Sequence, residues 1–500
     1  MILRTLATAP ILRALALLAL AACAAPPSAD APARTSPVRS VAEQRIGDQS
    51  HPRILAQFGG EYRNARVTAH VNRIGARLAA QTEQPQGPWT FTVLDSPVVN
   101  AFALPGGYVY VTRGLLALAN DEAELAGVIG HEMGHVTAAH GQRRQETATA
   151  AQVGVIAAVI GAAVLGADRT VADAVGQLAS AGAQGAVASY SRAQELEADR
   201  LGVAYLARAG YDPLAQADFL RSMQAQDQLS ASLRGGGYDP NRVDFFATHP
   251  ATADRIRAAT DAAGRQGAGT DRGREAFLAA IDGMTYGDSA AQGFVRGRRF
   301  VHPQLRFEFT APPGFAIVNA AEQVTMRGPR GAGVTFDGAR DPGGSLERYI
   351  AAEWAPSLAR QVRAGRLEGL RSLTIGGQPA AFAVLPVQTQ GGLRTLTLTA
   401  IRVPGGSVYR FLGVADPRDR AGLQAVAGAG ESFRALSAAQ ASRERPWRLS
   451  VVTVGPRDSV ASLAARMPFE QAAEQRFRVL NGLAPGEAVR PGQRVKLVLP

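Results

Sequence analysis

The feature that most constrains this chain is the pentapeptide His131-Glu132-Met133-Gly134-His135, which lies in a segment of helical character. A helix advances about 100° per residue, so residues four apart lie about 40° apart on one face. Two imidazoles on one face can hold one zinc ion, and Glu132 can act on a water at that ion as a general base. The rest of the chain then has to supply a third ligand and a substrate groove.

A second helical segment, Ser191–Asp199, supplies the missing carboxylate. Glu195 and Asp199 are four residues apart, so they share a helix face. Glu195 can ligate zinc, while Asp199 can accept a hydrogen bond from the far nitrogen of a ligand histidine. Such outer carboxylates fix the histidine tautomer and raise its basicity.

Other polar residues near the motifs are interpreted as structural. Glu197 points away from the face that carries Glu195, so it is interpreted as a solvated or capping carboxylate. His140 lies about 140° around the helix from His135 and is interpreted as a surface or packing histidine. Three more histidines have no ligand spacing and are interpreted as structural: His51, His70 and His302.

Together, the two motifs resemble one zinc metallopeptidase family. A His-Glu-x-x-His sequence followed about sixty residues later by Glu-x-Glu-Ala-Asp is similar to HtpX, the mitochondrial inner-membrane stress peptidase and the CAAX prenyl endopeptidases. The resemblance implies a mainly helical zincin-type (gluzincin) domain with a small β-sheet over residues 46–265. It also implies one Zn²⁺ per chain, held by His131, His135 and Glu195, with Glu132 as the general base.

Thr248-His249-Pro250, a lipobox-like N-terminus and a weakly apolar segment resemble the periplasmic branch of that family, which includes an assembly-enhancing protease for outer-membrane β-barrels. In that branch the histidine matching His249 can occupy the fourth zinc position as a removable plug. His249 could instead stabilise the oxyanion, as could Tyr190, or be an incidental loop histidine. The resemblance also implies a substrate-binding sheet edge above the zinc, formed by Asn100, Ala101, Phe102 and Ala103.

The N-terminus predicts export and lipidation. Residues 1–22 combine arginines with a short apolar run and read as a lipoprotein signal peptide. The run ends in Leu20-Ala21-Ala22-Cys23, which resembles the lipobox, so Cys23 is predicted to carry the lipid; the alternative is an ordinary signal peptide. Residues 23–45 are predicted to be a flexible tether. Position 24 is alanine, whereas the inner-membrane retention signal has aspartate after the cysteine, so we expect a periplasmic protein anchored to the outer membrane.

Three more segments have recognisable character. Residues 147–167 are uncharged and weakly apolar, which favours a helical hairpin, on the protein or at a membrane surface, over a true span. Residues 285–440 show short alternating strands and are predicted to be an α+β accessory domain. Residues 447–500 read as strand, helix, helix, strand (βααβ) and resemble the LysM module, which binds peptidoglycan glycan. Arg457-Asp458-Ser459 departs from the family pattern there, so a purely structural module is the alternative.

The sequence therefore predicts an α+β multidomain zinc endopeptidase of the cell envelope, acting on unfolded or misassembled envelope proteins. The net charge is +11, but no dense arginine run with interleaved aromatics occurs, so nucleic acid is not an expected partner. The expected partners are protein substrates, a membrane through Cys23 and peptidoglycan through the LysM-like module. The alternatives are a peptidoglycan-directed metallopeptidase and a latent, chaperone-like binder with a plugged zinc site.

Overall fold

The computed structural model of the protein describes residues 41–143, 190–233, 249, 253–267, 269–320, 323–360, 362–389 and 391–500. Cys23, the apolar segment 147–167 and residues 234–248, which precede His249, lie outside the described residues. Within the described ranges, the helices are all too short or too polar to cross a bilayer.

Up to residue 281, the described part of the chain contains eight helices: α1 (Val41–Gln57), α2 (Ala65–Ala79), α3 (Arg113–Leu118), α4 (Glu122–Thr137), α5 (Arg192–Arg208), α6 (Ala215–Ser232), α7 (Ala253–Gln266) and α8 (Arg274–Ile281). The chain reverses between α1 and α2 at Gly59 and Gly60, whose φ angles of 82° and 91° favour glycine. In α2 the Asn64 side chain caps the first turn. The apolar residues of α2 recur at helical spacing and are buried: Val67, Val71, Ile74 and Leu78.

A three-stranded sheet packs on these helices, with strands β1 (Thr90–Leu94), β2 (Ala101–Leu104) and β3 (Tyr108–Thr112). The order is β1-β3-β2, with β1 and β3 parallel and β2 antiparallel to β3. Strand β2 therefore forms one edge of this sheet.

The middle of the chain forms two further antiparallel sheets. One has the order β16-β7-β6-β5, and the other has the order β11-β13-β14-β15-β10-β9-β8 with β12 also paired to β13. Their strands are β5 (Phe294–Arg296), β6 (Arg299–His302), β7 (Phe307–Thr310), β8 (Ala316–Asn319), β9 (Val324–Arg327), β10 (Gly333–Arg340), β11 (Arg363–Ala364), β12 (Glu368–Ile375), β13 (Gln378–Thr389), β14 (Gly392–Val403), β15 (Ser407–Ala415) and β16 (Arg434–Ala435).

Helices cover both faces of the larger sheet. On one face Ala381, Ala383 and Leu385, which alternate along β13, pack against the helical segment α9 (Leu346–Tyr349), Ile350–Trp354 and α10 (Ala355–Ala359). On the other face α11 (Arg420–Glu431) buries Val426 and Ala429, and α12 (Ala438–Ala441) follows β16. The coarse α+β prediction is confirmed.

The C-terminal module, residues 447–500, comprises β17 (Trp447–Thr453), α13 (Val460–Ala464), α14 (Ala473–Leu480) and β18 (Arg494–Leu499). Strand β17 pairs with β18 and also with β4 (Thr285–Tyr286), which follows α8. Buried apolar residues of this module, such as Leu463 and Phe477, belong to the same hydrophobic cluster as α2, α4, α5 and α6. The module thus packs into the same core as the N-terminal helices.

Candidate metal centre

Helix α4 carries the two motif histidines in the middle of the protein. The Asp121 side chain caps its first turn, accepting a 2.8 Å hydrogen bond from the Glu124 backbone N–H. Glu124 does not complete a capping box, since it accepts from Asn120. His131 and His135 are 1% and 2% exposed, and their Nε2 atoms lie 3.0 Å apart. The helix ends at Thr137.

Helix α5 brings the carboxylates to this face of α4. A capping box between Ser191 and Gln194 starts the helix, so that Glu195 falls in its first turn. Oε1 of Glu195 lies 3.4 Å from Nε2 of His135, and Oε2 lies 3.6 Å from Nε2 of His131. Burial alone would raise the pKa of Glu195, but hydrogen bonds with His135 and His249 hold that pKa well below its usual range. The side chain is a carboxylate at neutral pH.

Close packing of the two helices makes this approach possible. A Cβ on Gly202 of α5 would lie 2.9 Å from the His131 backbone nitrogen, and one on Gly130 would lie 3.3 Å from Gly202. One turn along, a Cβ on Gly134 would lie 3.1 Å from the Ala198 carbonyl oxygen. Small residues on both helices therefore allow α4 and α5 to approach closely enough for ligands on each to meet.

The donor set fits a tetrahedral metal ion. His131, His135, Glu195 and His249 each offer one ligand atom, and these atoms all lie within 4.8 Å of one another. Tetrahedral zinc with bonds of 2.0–2.2 Å separates neighbouring ligand atoms by about 3.4 Å. The separations in the structure are close to this value: 3.0 Å between the Nε2 atoms of the motif histidines, 3.4 Å from His131 Nε2 to His249 Nδ1 and 3.4 Å from His135 Nε2 to Glu195 Oε1. Three nitrogens and one carboxylate suit zinc.

Behind the ligands, Asp199 and Arg255 orient the site. Nδ1 of His131 lies 2.9 Å from Oδ1 of Asp199, the contact expected of an outer carboxylate. Arg255 on α7 is 1% exposed, and it donates to both oxygens of Asp199 at 2.7 and 2.8 Å. A third nitrogen of Arg255 lies 2.6 Å from Oε2 of Glu195. Burial would raise the pKa of Asp199, but the paired Arg255 guanidinium holds it well below its usual range.

His140 is part of the site, so the surface alternative for it is wrong. It is fully buried, and its Nδ1 lies 2.8 Å from Nδ1 of His135. Its Nε2 lies 3.1 Å from Glu197, which Arg143 also contacts at 3.1 Å. Both contacts are hydrogen bonds when His135 donates from Nδ1 to Nδ1 of His140 and His140 donates from Nε2 to Glu197. Nε2 of His135 then keeps its lone pair for a metal. Glu197 therefore acts on His135 through His140.

Two aromatic rings close the site. The Tyr190 ring stacks on His135 with centroids 3.9 Å apart, and lies 5.2 Å from the His249 ring. His249 is 1% exposed, and its Nδ1 lies 2.9 Å from Oε1 of Glu195. The structure thus places His249 at the fourth position of the cluster, and Tyr190 beside it.

Glu132 lies between the cluster and the sheet edge. Its side chain is buried, with Oε1 3.7 Å from Nε2 of His249. Burial raises the pKa of Glu132 to about 8 in the metal-free protein, while the nearby backbone N–H of Ala103 acts in the opposite direction. Ala103 belongs to β2, with Ala101 and Phe102, whereas Asn100 precedes the strand and is buried.

Sequence reasoning missed Arg255, His140 and Glu197 as parts of the site. The two-residue step from Glu195 to Glu197 was visible, but its partner His140 is 57 residues away in the chain. Nothing in the local pattern of α7 distinguishes Arg255 from the exposed Arg257. Cys23, the predicted lipidation site, lies outside the described residues.

Comparison with known proteins agrees with this geometry. Residues 65–263 match the family model described as "Peptidase family M48". The putative β-barrel assembly-enhancing protease of Vibrio cholerae is 31% identical over 219 residues, which cover 43% of each chain. Metalloprotease LoiP of Escherichia coli K12 is 27% identical over 224 residues, 45% of this chain and 79% of LoiP.

The β-barrel assembly-enhancing proteases are matched over less than half of their length: 43% for the Vibrio cholerae protein and 39% for that of Yersinia pestis. Among solved structures, cyanobacterial PsbP is 15% identical and covers 27% of this chain and 91% of its own, with a TM-score of 0.22. That score is too low to assign a fold. The sequence match and the His/Glu cluster agree on one part of the molecule. Residues 65–263 of this chain match peptidase family M48, whose metallopeptidases use zinc, and the His/Glu cluster lies within that match.

Proposed function

We propose that this protein is a zinc-dependent endopeptidase of the bacterial cell envelope that hydrolyses unfolded or misassembled envelope proteins. The observation that carries the proposal is the buried set of His131, His135 and Glu195 with a carboxylate, Glu132, beside it. This is the arrangement that a gluzincin-type peptidase needs, with three protein ligands and a neighbouring base. The match to peptidase family M48 supports the same reaction.

The residues divide the chemistry among themselves. A bound zinc ion would polarise the scissile carbonyl and lower the pKa of a water toward neutrality. Glu132 accepts the water's proton and passes it to the leaving amine. Because burial raises the pKa of Glu132 to about 8, the positive charge of a bound ion would help to keep this carboxylate ionised. Asp199 and the His140–Glu197 pair hold the two ligand histidines in the metal-binding tautomer.

Strand β2 provides the means of substrate binding. It pairs with β3 on one side, and it packs on α4, which bears Glu132. An extended peptide can add to such an edge through backbone hydrogen bonds, which depend on main chain more than on side chains. Such recognition suits a protease that acts on many unfolded sequences.

The position of His249 favours a guarded enzyme. Its Nδ1 lies in the ligand cluster, 3.4 Å from His131 Nε2 and 2.9 Å from Glu195 Oε1. A histidine bound at the fourth position would exclude the water that hydrolysis requires. The protein in this state is latent, and release of His249 activates it.

The location and further partners follow from the remaining segments. We propose export, lipidation at Cys23 and anchoring to the outer membrane, on the pattern of residues 1–23. Residues 447–500 form two helices between two paired strands, which supports a LysM-like module that contacts peptidoglycan. The related β-barrel assembly-enhancing proteases support envelope proteins as the substrate class.

The test is Glu132→Gln in the full-length protein with casein and purified sacculi as substrates. We expect wild type to release peptides from casein in a chelator-sensitive way, and Glu132→Gln to bind one zinc yet release none. The exposed Glu61→Gln serves as a matched control and should keep full activity. Chelator-sensitive casein cleavage by Glu132→Gln would refute the role of Glu132, and release of peptides from sacculi alone would identify a peptidoglycan enzyme.

The guarded state has its own test. His249→Ala should keep zinc and cleave casein faster than wild type, because the fourth position is then open to water. If His249→Ala binds zinc and is no more active than wild type, the plug is wrong. The Glu132→Gln variant, expressed in the cell envelope, should also retain bound substrates for identification.

A further inference from the structure

The only lysine of the chain, Lys496, is fully buried where the C-terminal module meets the peptidase domain. The chain has 53 basic residues, and all the others are arginines. Lys496 lies in β18, and its ammonium donates to three successive backbone carbonyls: Ala117 at 2.8 Å, Leu118 at 3.3 Å and Ala119 at 2.6 Å. These carbonyls end helix α3.

The chemistry explains why a lysine is there. The last carbonyls of a helix have no partner within that helix and carry partial negative charge, so they favour a cation. An ammonium has three donors on a compact head, which matches three carbonyls; a planar guanidinium does not. Burial disfavours the charged ammonium and lowers the pKa of Lys496 to about 7, while the nearby Glu124 carboxylate acts to raise that pKa.

The contact lies at the start of the zinc helix. Ala119 is the C-cap of α3, and only Asn120 and Asp121 separate it from α4. The Asn120 carbonyl accepts a 2.6 Å bond from Arg274, whose other nitrogen reaches the Arg494 carbonyl of β18 at 3.1 Å. A Cβ on Gly482 of the module would lie 2.8 Å from Asn120, so the two surfaces fit closely.

Further bonds fix the module around Lys496. The Asn481 side chain accepts from the Lys496 backbone N–H at 2.7 Å and donates to the Lys496 carbonyl at 2.9 Å. Backbone bonds join Leu449 to Met284 at 2.8 Å and Gly283 to Leu449 at 2.9 Å. The shared hydrophobic cluster lies beneath these bonds. The first turn of α4 is therefore held in part by a module that begins more than three hundred residues later.

We propose that the C-terminal module is a clamp on the zinc helix, that Lys496 is a positioning residue for the metal site, and that peptide hydrolysis requires the module to be docked. The inference rests on the proposed function, because it assigns a control to the same site. Helix α4 transmits the effect: from Glu122 to His131 it is a continuous buried rod about 14 Å long. Movement of its first turn displaces both ligand histidines relative to Glu195 on α5.

The single lysine makes docking measurable in the wild-type full-length chain. An amine-reactive reagent can modify Lys496 only when the module has left α3. Cleavage at arginine then yields the peptide Val495–Pro500 for mass spectrometry. We expect at least a hundredfold protection of Lys496 in the native protein relative to the protein in denaturant. In a urea titration, exposure of Lys496 and loss of casein hydrolysis should share one midpoint.

Variants separate positioning from simple stabilisation. Lys496→Met removes the ammonium and keeps the length of the side chain. Arg494→Met serves as the control. It removes a cation from the same strand, and that cation pairs only with the exposed carboxylate of Glu275 among the ion pairs of the described residues. At a temperature where both variants are folded and zinc-loaded, we expect Lys496→Met to lose at least tenfold in kcat with KM changed less than twofold. Arg494→Met should match wild type.

The outcomes are distinct for the two proposals. Lys496 labelled rapidly in the native protein, or casein hydrolysis that persists after Lys496 is exposed, would overturn the clamp. A folded, zinc-loaded Lys496→Met variant with full kcat would do the same. The proposed function would instead be overturned if Lys496 is protected in the native protein, yet neither wild type nor His249→Ala hydrolyses casein.

Discussion

Replacing Arg255 by methionine tests the least expected part of the metal centre. Its guanidinium is buried and contacts two carboxylates, at 2.7 and 2.8 Å for Asp199 and 2.6 Å for Glu195. Methionine fills similar space without the charge. In the chelator-treated protein the change leaves Asp199 and Glu195 buried without a cationic guanidinium, facing histidines and, for Asp199, the neutral Gln216 amide at 3.1 Å. We expect chelator-treated Arg255→Met to unfold far more easily than wild type.

The size of the effect follows from burial. Removing one partner of a buried ion pair costs about 3–5 kcal/mol, since the remaining charge stays desolvated. An exposed pair on the same helix contributes at most about 1 kcal/mol, so Arg257→Met, which loses an exposed contact with Asp254, is the matched control. A loss of about 4 kcal/mol lowers Tm by roughly 10 °C in a domain of about 200 residues.

The assay is urea and thermal unfolding of the chelator-treated protein at several pH values. Arg255 holds the pKa of Asp199 below its usual range, so the pair stabilises the fold above about pH 4 and this stability is lost as the pH falls. Arg255→Met should therefore show a shallower acid dependence than wild type. Equal stability of the Arg255→Met and Arg257→Met variants, or an unchanged acid dependence, would refute the reasoning.

Three further predictions concern other parts of the chain. His140→Phe should weaken zinc binding by about 10–100-fold in a chelator competition, since His135 loses its hydrogen-bonding partner; unchanged affinity would contradict that role. Gly202→Ala should weaken zinc binding because its Cβ meets the His131 backbone at 2.9 Å, whereas Gly264→Ala, with nothing within 4 Å, should raise stability by about 0.4–1 kcal/mol. Burial lowers the pKa of His302 to about 4, so between pH 6.5 and 4 the unfolded chain binds more protons than the folded protein, and the free energy of unfolding falls as the pH falls. His302→Gln should remove up to about 3 kcal/mol of that pH dependence in urea unfolding, and a pH profile identical to wild type would contradict this.

Local patterns were sufficient for the parts of the site that lie on one helix. The four-residue spacing from His131 to His135, and from Glu195 to Asp199, fixes a shared face wherever a helix forms. The metal prediction followed from these spacings, and the structure brings the four side chains together. The strands of the middle domain were likewise visible from alternation, although their order in the sheet was not.

The same local reasoning failed for contacts between distant elements. His140 was interpreted as a surface or packing residue because a continued helix would place it about 140° from His135. The helix instead ends at Thr137, and α5 brings Glu197 to the far nitrogen of His140. Arg255 and Arg257 look alike in sequence, and only the packing of α7 on α5 buries one and exposes the other. Which face of a helix becomes buried depends on its neighbours in space, and no spacing within the helix records them.

The sequence by itself determined the chemistry of the centre, since residue types and helical periodicity are local properties that survive in any fold containing those helices. It also determined the βααβ pattern of residues 447–500. Only the tertiary structure decided that this C-terminal module packs into the peptidase core, with Lys496 on the carbonyls of Ala117, Leu118 and Ala119. That contact joins residues almost four hundred positions apart, and it is favourable because a buried ammonium needs acceptors and the last carbonyls of a helix have no donor within that helix.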